Sequence, residues 1–232
     1  VKDGLSNNQV NAIYKDSHGF MWFGTASGLN RYDGYDTRIY RSLKDDGNSL
    51  PDSYIEDIQE DATGNLWVRT GAGYAIYNSV SDIFDRNVEG WMWHIGISGN
   101  PSTVYIDSEK IFWIYVAGKG IYCYKPGQEN AVMVAGTDTL LTEMNITDMT
   151  ECSEGILLAF GNGVLACLDR EKLNVKWTFD GIASQWGKNQ SETFTLFVDS
   201  HERVWMYSVE GMWVYHLPKK RLGGAFCQER SL

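Results

Sequence analysis

The sequence predicts an all-β protein, a β-propeller built of four-stranded antiparallel blades, five of which are recognisable. A fixed period, a repeated turn and short apolar runs carry that prediction. Residues 16–22, 61–67, 107–113 and 199–205 each run from an Asp to a Trp, and 152–158 is a worn copy with Cys152 and Leu158 in those places. The landmarks Trp22, Trp67, Trp113, Leu158 and Trp205 are spaced by 45, 46, 45 and 47 residues. Such a period marks supersecondary units that stack on one another. Each unit holds four short segments separated by turn residues, which is the size of one propeller blade.

The first copy shows how a blade is read. Residues 10–15 form a strand with Ala12 and Ile13 apolar, and Asp16-Ser17-His18-Gly19 turns the chain. Asp caps turn backbone, and Gly accepts positive φ. Phe20-Met21-Trp22-Phe23 is a continuous apolar run. A short run of this kind between turns fits a strand buried on both faces. Residues 29–33 and 37–40 supply the third and fourth strands, with Asp33-Gly34 turning between them. Stacked blades bury both faces of their inner strands, and one Trp per blade fills the wedge between sheets.

The remaining copies follow in order. The second blade spans residues 54–85, the third 102–134, the fourth 146–179 and the fifth 194 onward, with residues 223–227 a poor last strand and 228–232 a frayed tail. One propeller domain is expected over 1–232, its blades falling near 1–46, 47–90, 91–136, 137–182 and 183–232. Loops are expected at 43–53, 88–101, 135–143 and 180–193, on the face that also carries the turns between second and third strands. Long loops on a rigid scaffold are where binding residues concentrate.

Composition narrows the functions. The chain has 232 residues, is 43% hydrophobic and carries a net charge of −10. That supports a packed core and argues against phosphate backbones and anionic lipid. No apolar run reaches the ~18 residues that a membrane helix needs. Val1-Lys2-Asp3 is not a leader, so the chain reads as cytoplasmic or as a mature or excised piece of something longer. Cys123, Cys152, Cys167 and Cys227 form no C-x-x-C pair and read as small hydrophobic residues. His94 and His216 lack spaced partners, so neither a metal nor a cofactor site is indicated.

Candidate site residues are those that the repeat does not explain. Trp91, Trp93 and His94 lie outside the repeat register before the third blade, and Trp186 lies in the corresponding segment before the fifth. Aromatic walls with a few placed polar groups are what a ligand pocket needs, and sugar C–H faces stack on such rings. The bland reading packs these rings against their own blade. Arg69, Tyr74 and Asn162 are turn-face candidates. Arg69 could grip an acidic or polyhydroxyl ligand, or pair with a neighbouring blade's carboxylate. The repeated Asp16, Asp61, Asp107 and Asp199 serve the repeat rather than catalysis, and no nucleophile motif is present, so the chain is not read as an enzyme.

The segment from Gly4-Leu5-Ser6-Asn7-Asn8 through the Asp16, Gly19, Trp22, Gly24-Thr25, Gly28-Leu29 and Tyr32-Asp33 positions resembles the two-component regulator propeller repeat. Asn48-Ser49-Leu50-Pro51-Asp52 leads into a second copy of the same kind. The resemblance implies the periplasmic sensor region of a hybrid two-component protein, most abundant in Bacteroidetes. It implies a response to glycan-derived oligosaccharides and relay to a histidine kinase outside this chain. An arc of five blades would expose two blade faces, so self-association or packing against further blades is expected, and neither nucleic acid nor direct membrane insertion is expected. The rivals are a protein-interaction scaffold and a propeller lyase or glycosidase, for which Glu143, Glu192 and Glu210 are the acids to consider.

Overall fold

A computed structural model describes residues 4–137, 145–182 and 192–227. The frayed tail expected at 228–232 lies outside them. The chain divides into two compact units, Val1–Pro101 and Ser102–Leu232. The first holds two four-stranded antiparallel sheets: β1 (Val10–Lys15), β2 (Met21–Thr25), β3 (Gly28–Tyr32) and β4 (Thr37–Tyr40), then β5 (Ile55–Glu60), β6 (Leu66–Thr70), β7 (Gly73–Asn78) and β8 (Ile83–Asp85). A short helix, α1 (Val88–His94), follows.

The second unit holds three more sheets of the same up-and-down order. They are β9 (Thr103–Ile106), β10 (Phe112–Val116), β11 (Gly120–Tyr124) and β12 (Val132–Met133); β13 (Ile146–Cys152), β14 (Gly155–Phe160), β15 (Leu165–Asp169) and β16 (Asn174–Phe179); and β17 (Thr195–Val198), β18 (Arg203–Ser208), β19 (Gly211–His216) and β20 (Arg221–Cys227). Five four-stranded blades are the fold class that the period predicts.

The repeated Asp does more than cap a turn. In the first blade one carboxylate oxygen of Asp16 accepts the backbone N–H groups of His18 (3.0 Å) and Phe20 (2.8 Å), and the other accepts the Trp22 indole N–H at 2.7 Å. The same indole bond recurs from Trp67 to Asp61 at 3.2 Å, Trp113 to Asp107 at 3.0 Å and Trp205 to Asp199 at 2.9 Å. One carboxylate thus closes the hairpin turn and fixes the large side chain six residues on. Hydrogen bonds to a charged group are worth about 1.5–3 kcal/mol each. Gly19 and Gly64 take the positive φ (+92° and +80°) that this turn requires, and Lys110 and Glu202 hold it in the third and fifth blades at +64° and +58°.

The fourth blade corrects the sequence reading. Its first hairpin pairs Cys152 with Gly155, leaving only Ser153 and Glu154 in the turn. In the first blade three residues, Ser17 to Gly19, lie between Asp16 and Phe20, whose backbones are bonded. The shorter turn moves the register by one. Trp22 pairs with Tyr14, Trp113 with Tyr105 and Trp205 with Phe197, each two residues before the Asp; in the fourth blade the residue opposite Thr150 is Leu157. Leu157, and not Leu158, therefore stands in the Trp position. The faces agree: Leu157 packs with Val204 and Met206 of the next blade, whereas Leu158 packs with Trp113 of the preceding one.

Blades stack in the same sense within each unit. Trp22 sits in a cluster with Ile58, Val68, Ala75 and Tyr77 of the second blade. Polar ties reinforce that packing: Asn11 donates to the Ile55 carbonyl at 2.8 Å, Ser17 donates its hydroxyl to Glu60 at 2.6 Å, and the Tyr40 and Tyr77 hydroxyls both donate to Asp82. In the second unit Ser108 donates its hydroxyl to Glu151 at 2.7 Å and Arg170 pairs with the same carboxylate at 2.5 Å. Thr147 donates to the Phe194 carbonyl at 3.0 Å. First strands thus run side by side, with the apolar clusters between sheets.

Candidate functional site

Segment 88–101 is expected as a loop, yet its first part is α1. The Asn87 side chain caps it by accepting the Gly90 N–H at 3.0 Å, Glu89 occupies the first turn and His94 the last. The Asn cap and an acidic residue in the first turn suit the helix N-terminus. The loop reading failed because Gly90 and the aromatics weaken helix propensity over so short a span. Tertiary anchoring supplies what propensity lacks: Val88 and Met92 are buried.

The helix delivers the candidate aromatics in two directions. Trp91 turns inward and meets the Trp67 ring edge-on at a centroid distance of 4.6 Å. Trp93 turns outward and is 63% exposed, with exposed His94 beside it. The bland reading thus holds for Trp91 and not for Trp93. Tyr74 is buried and lies 6.4 Å from Trp67, again edge-on. Arg69 pairs across the β6–β7 ladder with Tyr74 and forms a 2.8 Å ion pair with Glu56. That carboxylate belongs to β5 of Arg69's own blade, which corrects the expectation of a neighbouring blade's acid.

The first unit therefore brings Arg69, Tyr74 and Trp91 together around Trp67, with Trp93 and His94 at the outer end of the same helix. Trp67 itself was assigned only a filling role from the sequence, and Glu56 was not singled out. Glu56 sits at the β5 irregularity between Ile55 and Asp57; no periodic signal marks it. In the second unit Asn162 is exposed at the β14–β15 turn, where its side-chain oxygen accepts the Val164 N–H at 3.1 Å. Trp186 and Glu143 lie outside the described residues.

Electrostatics set the ion pairs apart from reactive groups. Burial raises the Glu151 carboxyl, but the bonds from Arg170 and Ser108 outweigh it and hold the group below the ordinary range. Asp199 shows the same balance: burial raises it, and the Trp205 indole and Arg203 draw it well below the usual carboxylate value. Both are stably ionised and structural. Burial pushes the Cys123 thiol up to about 11. Cys152, Cys167 and Cys123 are free and buried, and the bond with Cys152 drives the Cys167 thiol far upward. Among the described residues no group of three or more His, Cys, Asp or Glu side chains is placed to hold a metal ion.

A stacked-blade fold whose repeat is an Asp-clamped Trp defines a repeat propeller. Residues 4–27 and 49–72 match the family model described as the two-component regulator propeller. A 48-residue stretch is 44% identical to histidine kinase P4 of Formosa agariphila, covering 21% of this chain and 4% of that protein. The chain is similar in fold to the extracellular domain of the putative hybrid two-component system BT3049 from B. thetaiotaomicron, with 18% identity and a TM-score of 0.66, covering 97% of this chain and 31% of that one. It is equally similar to the extracellular domain of the putative one-component system BT4673 from the same organism, with 20% identity, a TM-score of 0.66 and coverage of 98% and 32%. The chain thus spans a small part of the curated relative and about a third of the solved chains. Among the described residues no helix is long and apolar enough to cross a membrane.

Proposed function

We propose that this chain is a ligand-sensing propeller of a periplasmic two-component signalling protein, that it engages a glycan-derived oligosaccharide, and that it relays occupancy to a histidine kinase beyond these residues. The observation that carries the ligand class is Trp93. Its indole is 63% exposed on a helix that buries Val88 and Met92 and packs Trp91 onto the blade. A rigidly mounted exposed indole is a stacking surface for a sugar ring, and His94 beside it offers a hydrogen-bonding edge. The family match and the extracellular neighbours support the sensing role. Relay then requires that the oligosaccharide bind one arrangement of the sensor better than another.

The test is calorimetric titration of the chain with a panel of acidic and neutral oligosaccharides, beside a Trp93→Ala variant. The reading expects one glycan class to bind and Trp93→Ala to weaken it at least tenfold with the unfolding midpoint unchanged. Binding unaffected by Trp93→Ala, or no binding across the panel, contradicts it.

A further inference from the structure

The face that carries Trp93 holds more than one indole. Glu89 stands four residues before Trp93 in α1, and residues four apart share one face of a helix, with Cβ atoms about 5–6 Å apart. Both side chains are exposed, whereas Val88 and Met92 are buried. Gly90 lies one residue after Glu89, where a Cβ would strike the Asn87 side chain that caps the helix. The position three before Trp93 therefore has no side chain to cover the ring. His94 is exposed beside it.

The charge along this segment is mostly of one sign. From Asp85 to Pro101 the acids are Asp85 and Glu89, both exposed, and the one Lys or Arg is Arg86. Arg86 is committed elsewhere. Its Nε donates to the Ser49 carbonyl at 2.7 Å, and a terminal nitrogen donates to the Asp46 carbonyl at 3.0 Å, the Ser49 hydroxyl at 2.7 Å and the Leu50 carbonyl at 2.8 Å. Arg69, considered from the sequence for an acidic ligand, is paired with Glu56 at 2.8 Å. An anion on Trp93 would thus meet the Glu89 and Asp85 carboxylates, while the segment's one cation is already engaged. The net charge of −10 adds long-range repulsion.

From this arrangement we infer that the Trp93 site takes uncharged oligosaccharides and rejects acidic ones, and that Glu89 sets the choice. The inference rests on the reading of Trp93 as a sugar platform. A sugar ring stacked on the indole points its hydroxyls outward from the ring edge. A carboxylate has two acceptor oxygens and no donor, so Glu89 accepts two neighbouring hydroxyls of that ring. Hydrogen bonds to a charged acceptor are the stronger kind. A uronic acid or a sulfated sugar would instead bring its own anion beside Glu89, where like charges repel.

Calorimetric titration with matched tetrasaccharides tests it. Each pair shares one linkage, and its members are built from galactose or galacturonic acid, glucose or glucuronic acid, mannose or mannuronic acid. One neutral member should bind, with its uronate counterpart at least about tenfold weaker, and added salt should narrow that gap. Glu89→Gln should weaken the neutral ligand at least about threefold and narrow the gap, and Glu89→Lys should reverse the order. Circular dichroism checks that each variant keeps the fold. A uronate that binds as tightly as its neutral counterpart, or a preference that neither Glu89 variant alters, would overturn the inference; the sensing reading survives either result if Trp93→Ala still abolishes binding. Binding indifferent to Trp93→Ala, or no binding by any pair, would overturn both.

Discussion

The third and fourth blades are neighbours in one unit and solve the same packing problem with different chemistry. In the third, Asp107 is 2% exposed and its carboxylate accepts the Glu109 and Ile111 backbone N–H groups and the Trp113 indole. In the fourth, the turn is shorter, Cys152 replaces the Asp and Leu157 replaces the Trp. All six residues of β14 are buried, and Leu157 lies in an apolar cluster with Cys152, Cys167 and the fifth blade. One blade is held by a charge-assisted clamp, the other by aliphatic packing. The repeat thus specifies a filled wedge between sheets, and the clamp is one way to fill it.

Removing the clamp should have the largest effect. Asp107→Ala leaves a buried indole N–H and turn amides without their acceptor, and is expected to cost about 3 kcal/mol. Urea unfolding followed by Trp fluorescence should show a lower midpoint with an unchanged slope. Leu157→Ala opens a cavity in a blade with no clamp to lose and should cost about 2–3 kcal/mol. If Leu158→Ala, and not Leu157→Ala, loosens the contact with the fifth blade, the register assignment is wrong.

The polar tie between these blades gives a pH signature. Glu151 has a folded pKa below its unfolded value, because Arg170 and Ser108 favour its charged form against burial. Its contribution is complete above the unfolded pKa of about 4.3 and is lost as pH falls through the folded value. Stability measured between neutral pH and pH 3 should therefore fall on the acid side, and Glu151→Gln should flatten part of that fall while lowering stability at neutral pH. The smallest change is Lys110→Gly. Lys110 holds φ +64° where the first two blades have Gly, and relief of that conformation should raise stability by up to about 1 kcal/mol.

Much of this comparison could be read from the sequence. The period, the strands and the turn-capping Asp are visible because each repeats in residue type. The indole bond was not read, although the Asp-to-Trp spacing of six was, because the spacing alone does not show that the hairpin turns the Trp ring back onto the carboxylate. Leu158 was placed one position off because the landmark was counted at constant spacing, and a turn shortened at Ser153-Glu154 breaks that count. The helix at 88–94 was missed although Asn87 and Glu89 are start signals; the Gly90 and aromatic content outweighed them. Of the candidate site, Trp91, Trp93 and His94 were selected because they fall outside the repeat register, which does not say which of them is packed; Trp91 meets Trp67, and Trp93 and His94 are exposed. Arg69 was left between two partners, and only coordinates bring Glu56 to it.

The clamp is tested most directly by hydrogen exchange of the Trp indole N–H groups, resolved by NMR. The account predicts that the Trp113 and Trp22 indoles exchange slowly, that exposed Trp93 exchanges fast, and that Asp107→Ala releases Trp113 while leaving Trp22 protected. A Trp113 indole that exchanges as fast as Trp93 in the unaltered chain, or one indifferent to loss of Asp107, would contradict it.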